Sequence, residues 1–437
     1  GVMLVMTYAS DLSYTALLSS QTLASMQQTS LHLGVLGHVS VLEATAFCLF
    51  IGAMGKSAQI PLHVWLPESM AGPTPISALI HAATMVTAGV YLVVRLSPLF
   101  ELAEVTRSVI LVLGATGGLW LGLAGCVKDD IKQVVAYSTL SQLGYMMSAA
   151  AVSAYSMAMF HLVTHAFFKS LLFLGAGAVI VAMGHEQRID KMGGLFRKIP
   201  VVAVCFLVGS LALMAMPPFS GFYSKDGILE AIKISSLWGA GYAYISLYLG
   251  AGVTAFYSIR LYYKVFHGPK QAQVAHGVGV SLWLPLVVLA IPSIFVGYLL
   301  APWIADNQWW GAMMPQTSTA LTQVYHHFLH PGALLFQVWT HWDAPIYFVL
   351  LVSVLTWILY HYQMASRLSG ALQWLVTVLK QNYFIDALYL NTWVPLMRAM
   401  AWLCYRVGDQ ILIEKGVVGS VAGMMRGGFN QFAKLQN

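Results

Sequence analysis

Three lysines lie inside apolar stretches that are long enough to cross a lipid bilayer: Lys56, Lys169 and Lys225. A charged side chain at the centre of a bilayer costs roughly 2.5–3.5 kcal/mol on insertion scales, so membrane proteins keep one there mostly where it carries ions or protons, or balances another charge. Lys56 and Lys225 also lie beside proline-containing sequence that interrupts a helix. These features predict a proton or cation path through the membrane.

His161, His165 and Lys169 are spaced four residues apart. On an α-helix this spacing forms one stripe about 12 Å long. Histidine titrates near neutral pH and both of its ring nitrogens form hydrogen bonds, so the stripe could pass protons. His81, in SALIHAATMVTAGVYL, could extend it from a neighbouring helix. The alternative is that each histidine satisfies a polar contact in the core.

Three acidic residues could support this path. Asp226 follows Lys225 and could orient the broken turn or begin a solvated helix. Glu68 lies in the loop after the first break, where it is interfacial or lines the path. Asp130 precedes an apolar helix, whose N-terminal dipole favours an acid. That helix also carries a polar patch able to bond a neighbouring helix or water: Ser138, Thr139, Ser141 and Gln142.

The composition is that of an integral membrane protein. The 437 residues are 58% hydrophobic and only 9% charged, whereas soluble domains carry about 25% charged residues. The net charge of +6 reflects positive loops rather than a basic patch for nucleic acid. There is no Walker loop, GxGxxG or CxxC motif, and the four cysteines stand alone. We therefore expect no metal and no cofactor in this chain, and an energy source in another subunit or an ion gradient.

Apolar runs of about 20 residues predict a polytopic transmembrane helical bundle. The predicted spans are 1–10, 40–66, 75–96, 106–127, 131–152, 154–183, 200–232, 241–266, 281–304 and 346–364. Residues 365–437 instead alternate apolar with charged residues, which predicts an amphipathic helix broken near Pro395 and Gly416. The predicted parts are a helical core (1–270), further helices with an outer loop (271–364) and the amphipathic helix (365–437).

The loops predict the orientation. Those at 11–39, 97–107 and 305–345 contain almost no lysine or arginine, whereas the loops on the other side and the C-terminal segment are basic. The positive-inside rule makes the basic side cytoplasmic. The C-terminal amphipathic segment is therefore expected on the cytoplasmic side.

Two of the predicted spans are interrupted. The span 40–66 runs into GKSAQIPLHVWLP, and the span 200–232 is split by MPPFSGF. Backbone carbonyls freed by proline survive at membrane depth only where protein or a water-filled cavity satisfies them. Transporters often carry such broken helices in pairs, in inverted repeats with the ion site at the breaks. The predicted fold is thus an all-α bundle with two broken helices in antiporter-like inverted repeats.

Over about residues 40–270 the chain resembles the antiporter-like subunit L family of NADH:quinone oxidoreductase (respiratory complex I). The segments that carry the resemblance are GKSAQIPLHVWLPESMAGPTPISALIHAATMVTAGVYLVVRLSPLFE, CVKDDIKQVVAYSTLSQLGYM, FHLVTHAFFKSLLFLGAGAVI, HEQRIDKMGGLFRKIP and PPFSGFYSKDGIL. It implies a proton-translocating membrane subunit that couples quinone reduction elsewhere in the complex to proton pumping, with no redox chemistry in this chain. NAD, FMN, iron–sulfur clusters and quinone are then expected in partner subunits.

The resemblance also implies residue roles. Lys56 matches the family's pump lysine on the first broken helix, and Lys225 matches the terminal lysine on the second. The central relay matches His161, His165 and Lys169, and a further relay histidine matches His81. The implied partners are adjacent antiporter-like subunits, and the implied location is the bacterial inner (plasma) membrane.

The C-terminal segments NYFIDALYL and RVGDQILIEKGVVG are similar to the family's lateral helix, which runs along neighbouring subunits. This favours complex I over a Na⁺/H⁺ antiporter complex or a hydrogenase-type complex, the alternatives within the superfamily. A further alternative is a structural clamp of the membrane arm. The family's glutamate partner of the first pump lysine would precede Gly1, and its final anchoring helix would follow Asn437, so the chain is expected to be part of a longer protein.

Overall fold

The computed structural model describes residues 1–9, 11, 13–32, 37–269, 277–305, 319–340, 344–365 and 370–435. The described residues are largely helical, and the predicted all-α fold is confirmed. The chain divides into two compact units, Gly1–Leu379 and Lys380–Asn437. The division into parts that end at residues 270 and 364 stays a prediction.

The first unit begins with short elements. These are α1 (Val2–Tyr8), α2 (Tyr14–Leu17), α3 (Ser20–Gln28) and a two-stranded antiparallel hairpin, β1 (Ser30–His32) and β2 (His38–Ser40). Ser30 pairs with Ser40, and His32 with His38. Ser40 also caps the next helix, because its hydroxyl accepts a hydrogen bond from the Glu43 amide.

The helices that follow form the body of the first unit. They are α4 (Val41–Lys56), α5 (Trp65–Glu68), α6 (Thr74–Ala82), α7 (Ala88–Arg95), α8 (Ser97–Glu101), α9 (Glu104–Gly125), α10 (Ile131–Ala151), α11 (Tyr155–Ala182), α12 (Pro200–Leu213), α13 (Ser220–Ile234), α14 (Ala240–Tyr262) and α15 (Val280–Ala305). Among the described residues, α9, α11, α15 up to Ile304, and a later helix at Ala344–His361 are long and apolar enough to cross a membrane.

Both predicted interruptions are present. Helix α4 ends at Lys56, and an irregular segment containing Pro61 separates it from α5. Helix α12 ends at Leu213, and α13 begins at Ser220 after Pro217 and Pro218. At the first interruption the Trp65 indole N–H donates to the carbonyl oxygen of Gly55 over 3.0 Å. A side chain thus satisfies one of the carbonyls that the break exposes, as a membrane environment requires.

A third interruption was not predicted. The expected span 75–96 is two helices, α6 and α7, separated by residues 83–87, which include neither proline nor glycine. Threonine hydroxyls bond the backbone there: Thr84 donates to the Leu79 carbonyl and Thr87 to the Ala83 carbonyl, both over 2.7 Å. Such local side-chain bonds offer the backbone an alternative to the helical ladder. The prediction of one continuous span was therefore wrong.

Helix α10 lies at the centre of the first unit. Nearly all of its residues are buried, and it packs against α9, α11, α13 and α14. A helix that is buried on all sides presents its polar side chains to other helices rather than to lipid or solvent. The polar patch on α10 is therefore surrounded by protein.

The predicted outer loop 305–345 is partly helical. It contains α16 (Thr319–Phe328) and α17 (Pro331–Thr340), while residues 306–318 and 341–343, including His341, lie outside the described residues. The first unit continues with α18 (Ala344–His361) and ends within the helix α19 (Gln373–Lys380). Lys270 and Arg367 also lie outside the described residues.

The second unit is helical, but its break is not where the sequence predicts it. The backbone stays helical through Pro395 and Gly416, along α20 (Ile385–Leu388), a π-helical stretch (Tyr389–Trp393), α21 (Val394–Leu403), a second π-helical stretch (Cys404–Val418) and α22 (Gly419–Leu435). Pro395 lies in the first turn of α21, where its missing N–H is tolerated. The helical path instead bends at residues 382–384, which have positive φ angles.

Candidate proton-transfer site

The stripe on α11 is buried completely. Lys169 and His165 are 0% exposed and His161 is 1% exposed. The imidazole rings of His161 and His165 lie 6.2 Å apart between centroids. Helix α11 brings these three side chains to one face because their spacing of four residues nearly matches its turn.

Helix α10 supplies polar partners to this stripe. Oε1 of Gln142 lies 3.1 Å from Nε2 of His161, within hydrogen-bonding distance. Nζ of Lys169 donates to Oγ of Ser138 and, over 3.4 Å, to the carbonyl oxygen of Val135. The polar patch predicted on α10 therefore does bond a neighbouring helix.

Helix α13 contacts the other end of the stripe. Nδ1 of His161 lies 2.9 Å from Oγ of Ser224, and the same hydroxyl lies 2.9 Å from Oγ1 of Thr164. Ser224 directly precedes Lys225, so this hydroxyl links the histidine stripe to the second interrupted helix. Sequence reasoning missed Ser224 and Thr164; a hydroxyl directly beside a lysine in an apolar segment was the available signal.

Lys225 is held by an aromatic ring. The residue is 2% exposed, and its Nζ has no hydrogen-bond partner among the described residues. Nζ lies 4.5 Å from the ring centroid of Tyr145, a cation–π contact. The Tyr145 hydroxyl donates to the Leu247 carbonyl over 2.5 Å, which anchors the ring. Tyr145 was not among the predicted site residues, because no local pattern relates it to a lysine 80 positions away.

His81 lies at the end of α6 and is 0% exposed. Its Nε2 is 3.0 Å from Oγ of Ser69, and its ring lies 5.8 Å from that of Phe173 on α11. Nδ1 of His165 is 3.1 Å from the carbonyl oxygen of Ala82, the residue after His81. The structure therefore brings His165 to the backbone beside His81, with no direct hydrogen bond between the two rings in the described part of the chain.

Lys56 stands apart from this cluster. It is the last residue of α4, and its side chain is exposed and forms no hydrogen bond within the described ranges. The next residue, Ser57, is buried, and its hydroxyl donates to the Val86 carbonyl over 2.7 Å and accepts from the Val90 amide over 3.2 Å. The first interruption is thus tied to the third one, between α6 and α7, through a serine.

The three supporting acids have different surroundings. Asp226 is half-buried and lines a cavity together with Lys225, whereas Glu68 is exposed. Asp130 caps α10, because its carboxylate accepts from the Lys132 and Gln133 amides over 2.8 and 3.1 Å. Among the described residues no group of three or more potential ligands could hold a metal ion.

The sequence matches known proteins over most of its length. Residues 1–250 match the family described as NADH:quinone oxidoreductase/Mrp antiporter, TM. The NADH-quinone oxidoreductase subunit L of Neisseria meningitidis serogroup A is 42% identical over 427 residues, which cover 91% of this chain and 62% of that protein. The NADH-ubiquinone oxidoreductase chain 5 of Phytophthora infestans is 51% identical over 266 residues, 60% of this chain and 40% of that one.

The fold also matches a solved structure. A chain of the Mrp complex from Dietzia sp. DQ12-45-1b aligns with a TM-score of 0.69 and 22% identity, covering 96% of this chain and 44% of that chain. At this level of identity the likeness concerns the fold alone. The chain spans less than two thirds of the length of the first curated relatives that it matches. On the match over residues 1–250, it is a multi-pass membrane protein and belongs to the NADH:quinone oxidoreductase/Mrp antiporter transmembrane family.

Proposed function

We propose that the protein containing this chain moves protons across a membrane as the antiporter-like subunit L of a NADH:quinone oxidoreductase. The observation that carries the proposal is the buried link between the stripe on α11 and the second interrupted helix, in which His161 lies 2.9 Å from the hydroxyl of Ser224, the residue before Lys225. Buried ionisable side chains within membrane helices mark ion or proton paths by default.

The proposed path runs from Lys56, the switchable inner site, through a central relay to Lys225, the outward exit site. The relay consists of His81, His161, His165 and Lys169. A hydroxyl both donates and accepts hydrogen bonds, so Ser224 can join the His161 imidazole to α13. Asp226 and Glu68 are supporting polar groups, and Asp130 supports the path by fixing the start of α10.

The energy would come from partner subunits. We infer that this chain takes part in the enzyme without redox chemistry of its own, while NAD, FMN, iron–sulfur clusters and quinone are held by partners. Its neighbours would be other antiporter-like subunits in the membrane arm. The location would be the bacterial inner membrane, with the C-terminal amphipathic segment 365–437 on the cytoplasmic side, as the positive-inside rule predicts.

The second candidate is a subunit of a Na⁺/H⁺ antiporter complex, because the matched family description names both the oxidoreductase and the Mrp antiporter. The two functions differ in what drives transport. Proton movement that continues without NADH and collapses when Na⁺ is removed would favour the antiporter. Proton movement that requires NADH and is indifferent to Na⁺ would favour the oxidoreductase subunit.

The decisive experiment uses inverted membrane vesicles that carry the full-length protein with Lys225→Ala in its assembled complex. NADH-driven acidification is measured together with NADH oxidation, and assembly is verified on a native gel. We expect acidification to be lost while the complex stays assembled. The matched control is Lys198→Ala, because Lys198 is exposed in a loop and should leave acidification unchanged.

An undiminished acidification per NADH in Lys225→Ala would contradict the proposal. In that case the buried lysines would be polar contacts in a structural clamp of the membrane arm. Neutralising Lys169 would then also leave coupling intact.

A further inference from the structure

The β-hairpin carries a pair of histidines that the proposed proton path does not use. The register of β1 and β2 places His32 directly opposite His38. Residues that are directly opposite in an antiparallel pair project from the same face, with Cβ atoms about 4.5–5.5 Å apart. The two imidazole rings accordingly lie 4.9 Å apart between centroids. Five residues separate the two histidines in the sequence, so it is the pairing of the strands that brings them together.

The hairpin directs this pair towards solution. Leu31 and Val39, the neighbours of the two histidines, are half-buried, whereas His32 and His38 are exposed. Successive side chains of a strand point to opposite faces, so the histidines occupy the face that is not packed on the protein. The loop 11–39 contains no lysine or arginine, which predicts the outer side of the membrane. We therefore expect both rings to be accessible from the outer solution.

The spacing of the two rings fits chelation of one metal ion. A tetrahedral ion with metal–nitrogen bonds of about 2.0–2.1 Å holds two imidazole rings with their centroids about 5 Å apart. The centroids of His32 and His38 are already at 4.9 Å, and their ring planes differ by 82°. Rotation about χ2, a soft torsion in histidine, would turn one nitrogen of each ring towards a common point. The pair can thus supply two ligands without movement of the backbone.

The ligand chemistry selects the kind of metal. The sequence from Thr29 to Val41 contains no acidic residue, so the ligands that the hairpin offers are imidazoles. Ca²⁺ and Mg²⁺ take oxygen ligands, whereas imidazole suits Zn²⁺, Ni²⁺ and Cu²⁺. Water would fill the remaining coordination positions, as it does in zinc sites that keep a position open.

Hydrogen bonds on both sides of the hairpin hold the frame of this pair. Ser30 pairs with Ser40, and the Val41 amide donates to the Thr29 carbonyl over 2.9 Å. Ser40 also caps α4, because its hydroxyl accepts from the Glu43 amide over 3.1 Å. A backbone that is already ordered loses little freedom when it binds a ligand, which favours binding.

We propose that His32 and His38 form a chelating site for a divalent transition-metal ion, with Zn²⁺ as the representative ion, on the outer face of the protein. The ion would join β1 to β2 directly before α4. The site contains none of the residues of the proposed proton path, so the inference does not rest on the proposed function.

The test measures how fast diethyl pyrocarbonate modifies individual histidines, quantified by mass spectrometry. It uses the full-length protein in its assembled complex, treated first with a chelator and then with Zn²⁺ or Mg²⁺. The reagent attacks the unprotonated ring nitrogen, which is the nitrogen that a metal ion would occupy. We expect Zn²⁺ to slow modification of His32 and His38 several-fold, and Mg²⁺ to have no effect. His185, exposed in the loop after α11, should react at the same rate in all conditions.

Single substitutions decide whether the two rings act as one site. A chelate needs both imidazoles, so in His32→Gln we expect Zn²⁺ no longer to protect His38, and in His38→Gln no longer to protect His32. Both side chains are exposed, so neither substitution should disturb the hairpin. The matched control is Ser30→Gln, which introduces the same side chain at another exposed position of β1 and should leave the protection intact.

Three results would overturn the proposal. Equal modification rates with and without Zn²⁺ would show that the pair binds no metal. Protection of His38 that persists in His32→Gln would show an adventitious ion on a single imidazole. Resistance of both histidines to the reagent after treatment with the chelator would show that the pair is not open to solution.

Discussion

The two interrupted helices place their lysines in opposite surroundings. Lys56 is the last residue of α4 and its side chain is exposed, whereas Lys225 lies in the second turn of α13 and is 2% exposed. The C-terminal end of a helix carries a partial negative charge that favours a cation, and the effect fades beyond the terminal turn. Lys56 therefore lies at a helix end that favours a cation, whereas the buried ammonium group of Lys225 contacts the ring of Tyr145.

The serines beside the two lysines differ in the same way. Among the described residues the hydroxyl of Ser57, after Lys56, bonds only backbone atoms, at Val86 and Val90. Ser224, before Lys225, contacts the side chains of His161 and Thr164 as well as backbone. The two breaks have similar proline-containing sequences, but their serines make different contacts. The first is joined to the helices around it through the backbone, and the second is joined to a chain of titratable side chains.

The largest expected effect is a loss of stability at two glycines, one beside each break. Each glycine approaches a carbonyl oxygen of the helix that ends at the break. A Cβ on Gly221 would overlap the Ala212 carbonyl oxygen, and one on Gly89 would overlap that of Ala53. We expect Gly221→Ala and Gly89→Ala each to destabilise the protein by about 1–3 kcal/mol or more, measured as a lower thermal midpoint and less assembled protein. Gly52→Ala is the control, since a Cβ there would meet no atom within 4 Å. Equal midpoints in all three variants would contradict the close approach.

The lysines themselves provide the next test. Lys225→Met removes a buried charge that has no hydrogen-bond partner among the described residues and keeps most of the volume. A buried charge without a hydrogen-bonding partner carries a desolvation cost that an apolar side chain of similar volume avoids. We expect a higher thermal midpoint with loss of acidification.

Lys56→Met is the matched comparison. Because the side chain of Lys56 is exposed, we expect this substitution to leave the thermal midpoint unchanged. A lower midpoint in Lys225→Met would show that the ammonium group of Lys225 stabilises the fold, and the contrast between the two breaks would fail.

A smaller effect is expected at Tyr145. A desolvated cation–π contact is worth about 2 kcal/mol, so Tyr145→Leu should lower the thermal midpoint more than Tyr145→Phe, which keeps the ring. The measurement is a double-mutant cycle with Lys225→Met. In the Lys225→Met background, the difference between the two Tyr145 variants should shrink. If it stays the same, the ring stabilises the protein by packing alone.

The smallest expected effect separates the two serines. Ser57→Ala and Ser224→Ala each remove hydrogen bonds worth about 1 kcal/mol, so their thermal midpoints should fall by similar amounts. Acidification per NADH should fall only in Ser224→Ala, because only Ser224 contacts the histidine stripe. A loss of acidification in Ser57→Ala of the same size would show that the first break also takes part in proton transfer through its serine.

Much of the architecture was predictable because local rules decide it. Apolar runs and the prolines at 61 and 217 predicted that the spans 40–66 and 200–232 are interrupted, and the spacing of four residues predicted the stripe on α11. The break at residues 83–87 was not predictable in this way. The local bonds of Thr84 and Thr87 only offer the backbone an alternative to the helix. Ser57 also bonds across to Val86 and Val90, and that contact comes from the packing of α4 against α7, which no local pattern records.

In the C-terminal unit, residue propensities predicted helix breaks that the structure does not contain. Pro395 and Gly416 are helix breakers by propensity, yet the backbone remains helical at both, with π-helical stretches beside Pro395 and around Gly416. Helix propensity predicts a break poorly where a wider π-helical turn can accommodate the residue.

The inverted repeat that relates the two interrupted helices remains a prediction.

The sequence by itself determined the membrane class, the helical fold and the stripe of His161, His165 and Lys169 on α11, because hydrophobic length and helical periodicity are properties of neighbouring residues. Only the tertiary structure decided which residues meet. It joined Ser224 to His161, placed Tyr145 against Lys225, opened a cavity between α13 and α16, and left Lys56 apart. These relations are set by the packing of helices that are distant in sequence, which no local pattern records.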